Sequence, residues 1–123
     1  MVARMSDPTA EELAHEWRKS TEGEPTAGWS RLDDAASFSP ELAWSAIVCA
    51  VGHDLTREQQ SILAAGPLEV LLSEHGPDFI DRVETEAAHN NRFREALTLV
   101  WRLEMTDDVW TRVQKAREQP RTI

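Results

Sequence analysis

Apolar residues recur every three or four positions along most of the chain, which is the spacing that lines one face of an α-helix. The stretch from Leu42 to Val51 carries no charge on any side, so it predicts a buried central helix over about residues 40–51. No segment alternates apolar and polar residues convincingly, as a half-buried strand would. The pattern predicts an all-α fold, a single compact globular domain of six to seven short helices. The other apolar stripes are Leu13 and Trp17; Leu68, Leu71 and Leu72; Phe79, Ile80, Val83 and Ala87; Phe93, Leu97, Val100 and Trp101; and Val109, Val113 and Ala116.

Residues that favour helix ends separate these stripes. Side chains that accept hydrogen bonds from free N–H groups precede several stripes, and proline occupies the first helical position where its missing N–H costs nothing. The predicted boundary residues are the N-caps Asp7, Ser39, Thr56 (in capping-box spacing with Gln59) and Thr106, the first-position prolines Pro8 and Pro40, and the stop residues Gly52 and Asn90.

The pair Gly-Pro occurs twice, at Gly66-Pro67 and Gly76-Pro77. A glycine can end a helix in the left-handed conformation, and a proline suits the first turn of the next helix. A phosphate-binding loop would need a longer glycine pattern and usually a lysine, and neither is present. Each pair therefore predicts the end of one helix and the start of another.

A polar segment rich in glycine and proline, Thr21 to Gly28, is the best candidate for a boundary within the chain. It divides the sequence into an N-terminal helix with its loop (1–28) and a helical core domain (29–123). The sequence leaves open whether residues 1–28 pack on the core or move freely.

Charge is the most distinctive bulk property. The chain has 22 acidic and 13 basic residues and a net charge of −9. Residues 1–89 hold 17 acidic and 6 basic residues, whereas residues 90–123 hold 5 and 7. Such a surface repels phosphate backbones and anionic lipid, so we expect no direct nucleic-acid or membrane partner. Basic proteins are the expected partners.

The start of the sequence has no apolar signal-peptide core, and the longest apolar run is about half of a membrane span. The single Cys49 cannot form an internal disulfide. A cytoplasmic protein is the expected reading.

Two Glu-x-x-His pairs, Glu12/His15 and Glu86/His89, are the strongest candidates for chemistry. In di-iron bundles such pairs bind metal, but these helices are short and His89 is expected to face solvent. A solvated helix face is the favoured interpretation, so no metal or cofactor is predicted. Cys49 lies in the most apolar segment and predicts a buried, inert thiol rather than the nucleophile of a pair with His53.

Four further residues have open or structural interpretations. His75 is expected to bond the free carbonyls at the end of its own helix. Glu104 continues the stripe of Phe93, so either the helix ends before it or its carboxylate is paired inside. Trp29 and Trp110 are the tryptophans expected to be partly exposed, where Trp110 could anchor an interface.

The run "AGPLEVLLSEHGPDFIDRVETEAAHNNRFREALTLVWR", with "SPELAWSAI" before it and "VWTRV" after it, resembles a family of small uncharacterised bacterial proteins. That family is known as a domain of unknown function with the pattern GPLE…HG…FI…VE…FR…L..VW. The similarity spans about Pro40 to Val113 and implies a bacterial origin and one intact domain. It implies no catalytic residues.

These observations predict a non-enzymatic, acidic protein-binding protein that neutralises a basic partner such as a nuclease, a toxin or a nucleic-acid-binding effector. Immunity proteins, antitoxins and phage-encoded anti-CRISPR or anti-defence inhibitors are of this type. The alternatives are a small assembly or regulatory module, present as a monomer or homodimer, and a metal-binding helical protein. The predicted partner-binding residues are Glu69, Glu74, Asp78, Asp81, Glu84, Glu86 and Trp110.

Overall fold

The computed structural model describes residues 8–22 and 30–118. Within these ranges it contains helices and no strand, which confirms the predicted all-α fold. The helices are α1 (Ala10–Ser20), α2 (Arg31–Phe38), α3 (Pro40–Val51), α4 (Arg57–Leu63), a π-helical turn (Ala64–Leu68), α5 (Glu69–His89), α6 (Asn91–Leu97) and α7 (Asp107–Glu118).

Side-chain caps begin most of these helices. Thr56 and Gln59 form the predicted capping box of α4. Asn90 ends α5 and caps α6, so the predicted asparagine stop is confirmed. The predicted start of α1 is wrong: Thr9 is its N-cap and forms a capping box with Glu12, while Asp7 lies outside the described residues.

The central position of α3 is confirmed, because α3 contacts α1, α2, α5 and α6. Its inner face is mostly alanine, which lets neighbouring helices approach closely; the buried residues are Ala43, Ala46, Ile47, Ala50 and Val51. The expectation that α3 is buried on every side is wrong, since Ser45 is exposed and Trp44 is half-buried. The Trp44 ring packs edge-on against Phe93, with 5.5 Å between ring centroids.

Helix α1 packs against α3 and contributes to the core. Leu13, Ala14 and Trp17 are each at most 2% exposed. The Gln59 amide at the start of α4 donates to the Arg18 carbonyl, which ties the end of α1 to the body. Residues 23–29, with most of the predicted boundary loop, lie outside the described residues.

The two Gly-Pro pairs do not end helices in the predicted way, because neither glycine has a left-handed backbone. Gly66-Pro67 lies inside the π-helical turn, where the Glu69 N–H bonds to the Ala64 carbonyl five residues earlier. Gly76-Pro77 follows a bend in α5 at His75, whose φ of −131° and ψ of 20° are not helical. At the second pair two helical segments meet across this bend, so the predicted end of one helix and start of another is confirmed there.

The helix that begins after Asn90 is shorter than the apolar pattern predicts. Helix α6 ends at Leu97, and an irregular segment from Thr98 to Thr106 leads to α7. Val100 remains buried, but Trp101 is 75% exposed, so its predicted inward position is wrong. Glu104 is exposed beyond the helix end, which settles the two interpretations of this carboxylate.

Candidate functional site

The segment between α6 and α7 runs beside the first half of α5. The Trp101 backbone N–H donates to Glu69 Oε2 at 2.7 Å, and the Glu104 N–H donates to Ser73 Oγ at 3.2 Å. Because Glu69 and Ser73 are one helical turn apart, these bonds fix the segment along the helix axis. The acidic Glu104 therefore lies beside the acidic part of α5.

Helix α7 continues along the second half of α5. The Gly76 backbone faces Val109: a Cβ added to this glycine would lie 3.0 Å from both Val109 methyl groups. Further along, the Arg112 guanidinium donates to Asp81 at 2.6 Å and to Glu84 at 2.7 and 2.8 Å. The connecting segment and α7, which carry acidic residues of their own, thus lie next to the acidic part of α5.

Glu69 belongs to the core and not to this surface. It is only 5% exposed, and it holds the Trp101 N–H. Burial raises the pKa of the Glu69 carboxyl, and the hydrogen bond from Trp101 partly offsets the rise. A carboxylate this deeply buried is poorly placed to make the partner contact that the sequence predicts for Glu69. No local sequence pattern distinguishes Glu69 from the exposed acidic residues near it.

Three other predicted acids have hydrogen-bond partners within the fold. Asp81 and Glu84 share Arg112, whose pKa is raised by its hydrogen bonds to Glu84 and then to Asp81. Glu86 is half-buried and accepts a hydrogen bond from the Asn90 amide at 2.8 Å. These carboxylates attract a basic partner less than their number in the sequence suggests.

Asp78 forms no ion pair within the described residues. The sequence places Arg82 one turn after Asp78, but Arg82 instead binds Glu41 of α3 with two hydrogen bonds of 2.7 and 2.9 Å. Its guanidinium also lies over the Phe79 ring, 4.7 Å from the centroid. The hydrogen bonds from Arg82 lower the pKa of Glu41.

Four exposed carboxylates remain around the bend of α5, and we call them the kink surface: Glu74, Asp78, Glu104 and Asp108. Glu104 and Asp108 directly neighbour the contacts to Ser73 and Gly76, and within the described residues none of the four forms an ion pair. Sequence reasoning missed Glu104 and Asp108 as members, because their proximity to α5 depends on long-range packing.

Trp110 is partly exposed, as predicted, but Trp101 is the more exposed of the two tryptophans. Trp110 is half-buried and lies under Arg117, whose guanidinium is 5.0 Å from the ring centroid. Trp101 and Leu103, which we call the anchor pair, are 75% and 59% exposed and directly precede Glu104. Trp29 lies outside the described residues.

The candidates for metal or nucleophile chemistry are dispersed. Glu12 caps α1, and His89 bonds the Thr85 carbonyl. No group of three or more metal-ligating side chains occurs within residues 8–22 and 30–118. Cys49 is half-buried, so its predicted full burial is wrong.

His75 does bond a helix-terminal carbonyl, but not in its own helix. Its Nε2 donates to the Ser37 carbonyl at 2.9 Å, in the last turn of α2. The predicted type of contact is confirmed and the predicted partner is wrong. The imidazole therefore links α5 to α2 at the bend.

A groove of about 650 Å³ lies between α1, α2 and the start of α3. Leu13, Ala35 and Leu42 line it, and Phe38 at its edge is 83% exposed. Its acidic Glu41 is already paired with Arg82, so it lacks the uncompensated charge of the kink surface.

No helix in the described part of the chain is both long and apolar enough to cross a membrane. Comparison with known proteins finds no curated protein and no solved structure that matches the chain, but it does identify a family. A model of a family of unknown function, DUF6869, matches residues 10–121, so the chain belongs to this family.

Proposed function

We propose that the protein is a non-enzymatic binding protein that docks a basic protein partner on the kink surface. The observation that carries this proposal is a set of four exposed carboxylates on adjacent elements, α5, the connecting segment and α7, none of which forms an ion pair within the described residues. Acids grouped in this way, on a chain with a net charge of −9, attract a basic protein over about a Debye length, roughly 8 Å at physiological salt.

The proposed consequence of docking is inhibition. A protein that acts on nucleic acid presents lysine and arginine where phosphates bind, and a group of carboxylates complements that surface. Occupation of the phosphate-binding cleft blocks the partner, and association is fast and sensitive to salt. An immunity protein, an antitoxin or a phage-encoded anti-CRISPR or anti-defence inhibitor acts in this way.

The test begins with a salt-washed pull-down from a lysate of the native host. Any basic protein released by salt is then purified, and its affinity is measured directly. The charge-reversed variant changes the kink surface: Glu74→Lys, Asp78→Lys, Glu104→Lys and Asp108→Lys. A control reverses four exposed acids elsewhere: Glu11→Lys, Glu58→Lys, Glu95→Lys and Glu118→Lys.

We expect the kink-surface variant to lose on the order of 100-fold in affinity at low salt, because attraction becomes repulsion. The control has the same net charge and should lose far less. Circular dichroism must show the same helical signal for both variants. Equal affinity of the two variants would contradict docking on the kink surface, and a partner without excess basic charge would contradict the proposal itself.

A small helical module that associates with itself is the second candidate. The observation in its favour is the exposure of three large apolar side chains, Phe38, Trp101 and Leu103. Light scattering over a wide concentration range tests it. A dimer would favour this candidate, and a monomer throughout would exclude it.

A further inference from the structure

The anchor pair lies directly beside the kink surface. Trp101 and Leu103 precede Glu104, and Trp101 is bonded through its N–H to Glu69, one turn before Ser73 and Glu74 on α5. A large apolar side chain at the surface gains little from folding, whereas tryptophan is the residue most often found to dominate protein–protein affinity. An exposed tryptophan bordered by carboxylates therefore has the composition of an interface centre with a charged rim.

The connecting segment that carries the anchor pair is tied to the rest of the fold by several hydrogen bonds. Its backbone is bonded at Trp101 and Glu104, and the Val100 carbonyl accepts from Arg117 at 3.0 Å. Arg102 donates to the Met105 carbonyl at 3.1 Å and pairs with Asp107. A segment fixed before binding loses little conformational entropy when it binds.

Leu103 has a φ of 50°, the left-handed region that disfavours residues with a Cβ. Glycine would suit this backbone better, yet the chain has a leucine whose side chain is 59% exposed. The fold does not use this side chain for its core.

From these observations we infer that Trp101 and Leu103 are the apolar anchor of the docking surface, and that they enter an apolar pocket bordered by lysine and arginine on a basic protein partner. The inference rests on the proposed function and specifies the chemistry of the partner. The carboxylates of Glu104, Glu74 and Asp78 meet the basic border, while the anchor pair fills the pocket.

Charge decides between a basic protein and a second copy of this chain. A two-fold symmetric contact through the anchor pair would bring the same surface of both copies together. Glu104 and its acidic neighbours would then face equivalent carboxylates, and such like-charge contacts oppose binding. A basic partner replaces this repulsion with attraction.

A displayed library of random peptides tests the inference with a defined probe. Four folded proteins are used for selection: wild type; the anchor variant Trp101→Ser/Leu103→Ser; the charge-reversed kink-surface variant; and the matched control Phe38→Ser, which removes an exposed apolar side chain at the other groove. Trp101→Phe serves as a conservative variant that keeps an aromatic ring.

Wild type and Phe38→Ser should select peptides that combine lysine or arginine with a large apolar residue. The anchor variant should select basic peptides that lack the apolar residue. A synthesised peptide from the wild-type selection should lose about 10-fold or more in affinity for the anchor variant, and Trp101→Phe should recover part of that loss. This loss should persist at about 0.5 M salt, where the contribution of the carboxylates is largely screened.

The alternative outcomes separate the inference from the proposed function. Basic peptides that bind the anchor variant as well as wild type would overturn the anchor and leave the basic partner intact. Selection of apolar peptides without lysine or arginine would overturn the proposal that the partner is basic and that its pocket is bordered by basic residues. A wild-type dimer that Trp101→Ser/Leu103→Ser abolishes would assign the surface to a second copy of the chain. If wild type enriched peptides no more strongly than the charge-reversed variant does, both proposals would be overturned.

Discussion

The same dipeptide, Gly-Pro, has two different structural roles ten residues apart. Gly66-Pro67 sits in a π-helical turn that keeps the chain helical, whereas Gly76-Pro77 follows a bend. Both prolines lack the N–H that an α-helix would use, so the local chemistry is the same. The neighbours differ: Gly66 faces the carboxylate of Asp33 in α2, and Gly76 faces the methyl groups of Val109 in α7. Tertiary packing therefore decides what each pair becomes.

The residues that follow each pair differ in the same way. Glu69, two residues after Pro67, is buried against the connecting segment, whereas Asp78, directly after Pro77, is exposed on the kink surface. Each glycine lets another element approach α5 or the turn before it. The first approach stabilises the core, and the second places the start of α7 beside the proposed docking site.

Substitution of Gly66 should have the largest effect on stability. A Cβ at this position would lie 2.6 Å from Asp33 Oδ1, closer than van der Waals contact allows. Asp33 cannot move freely, because its Oδ2 accepts from Ser30 N–H and Oγ at 2.8 and 2.9 Å and caps α2. We expect Gly66→Ala to lower the free energy of unfolding by about 3 kcal/mol, through overpacking and loss of the cap. Urea denaturation measures this change.

A double-mutant cycle with Asp33→Ala identifies the cause of the Gly66 effect. Asp33→Ala removes the colliding carboxylate, so Gly66→Ala should cost at least about 1 kcal/mol less in that background. Asp33 Oδ1 is buried and has no hydrogen-bond donor among the described residues, which makes steric contact the main interaction lost. Additive effects of the two substitutions would contradict this explanation.

Gly76→Ala should have a smaller effect because its neighbour can adjust. The added Cβ would lie 3.0 Å from Val109 Cγ1 and Cγ2, and these are side-chain atoms that can shift by a few tenths of an ångström. We expect a loss of about 1–2 kcal/mol, measured by urea denaturation. In a Val109→Ala background the added methyl group fits, so Gly76→Ala should then be close to neutral. An effect equal to that of Gly66→Ala would remove the distinction between the two pairs.

These differences mark the limit of sequence reasoning about the fold. The capping box at Thr56 and the helix stop at Asn90 involve residues within one turn, and the sequence predicted both correctly. The end of α6 at Leu97 has no glycine or proline signal. Beyond this end, two hydrogen bonds to residues distant in sequence hold the connecting segment: the Trp101 N–H donates to Glu69, and Arg117 donates to the Val100 carbonyl. Such tertiary contacts override the local helix propensity of the sequence.

The candidate site was predictable only as an acidic region of the sequence. The sequence identified Glu74 and Asp78, which are exposed. It could not show that Arg112, 28 residues after Glu84, pairs with both Asp81 and Glu84. Which acids remain unpaired depends on the packing of α7 against α5, and this packing has no local signal.

Glu69→Gln tests the buried acid of the comparison between Glu69 and Asp78. We expect its effect on stability to be smaller than that of Gly76→Ala. Burial raises the pKa of Glu69 above its ordinary value of 4.5, so the folded state binds the proton more tightly than the unfolded state does. Glu69 therefore lowers stability as pH rises from 4.5 through the raised pKa. Glutamine keeps an acceptor for the Trp101 N–H without the charge.

The Gln variant should be more stable than wild type near pH 7, and the difference should vanish at about pH 4, where Glu69 is protonated in both states. Urea denaturation across this range measures the effect. The control is Asp78→Asn, which removes an exposed carboxylate and measures the effect of the same loss of one negative charge. A Gln variant that is less stable than wild type at neutral pH would show that the buried site stabilises the charged carboxylate of Glu69.

Leu103→Gly should have the smallest effect on stability, and its sign tests why the leucine is present. The glycines at 66 and 76 occupy sites without a left-handed backbone, whereas Leu103 has a φ of 50°. Glycine relieves the strain at position 103 but gives the unfolded chain more freedom, so we expect a net gain of about 0.5 kcal/mol. Binding of the peptide selected on wild type should weaken, because half of the anchor pair is lost. A gain in stability together with a loss in binding means that the leucine serves a contact with a partner. A loss in both would mean that it stabilises the connecting segment.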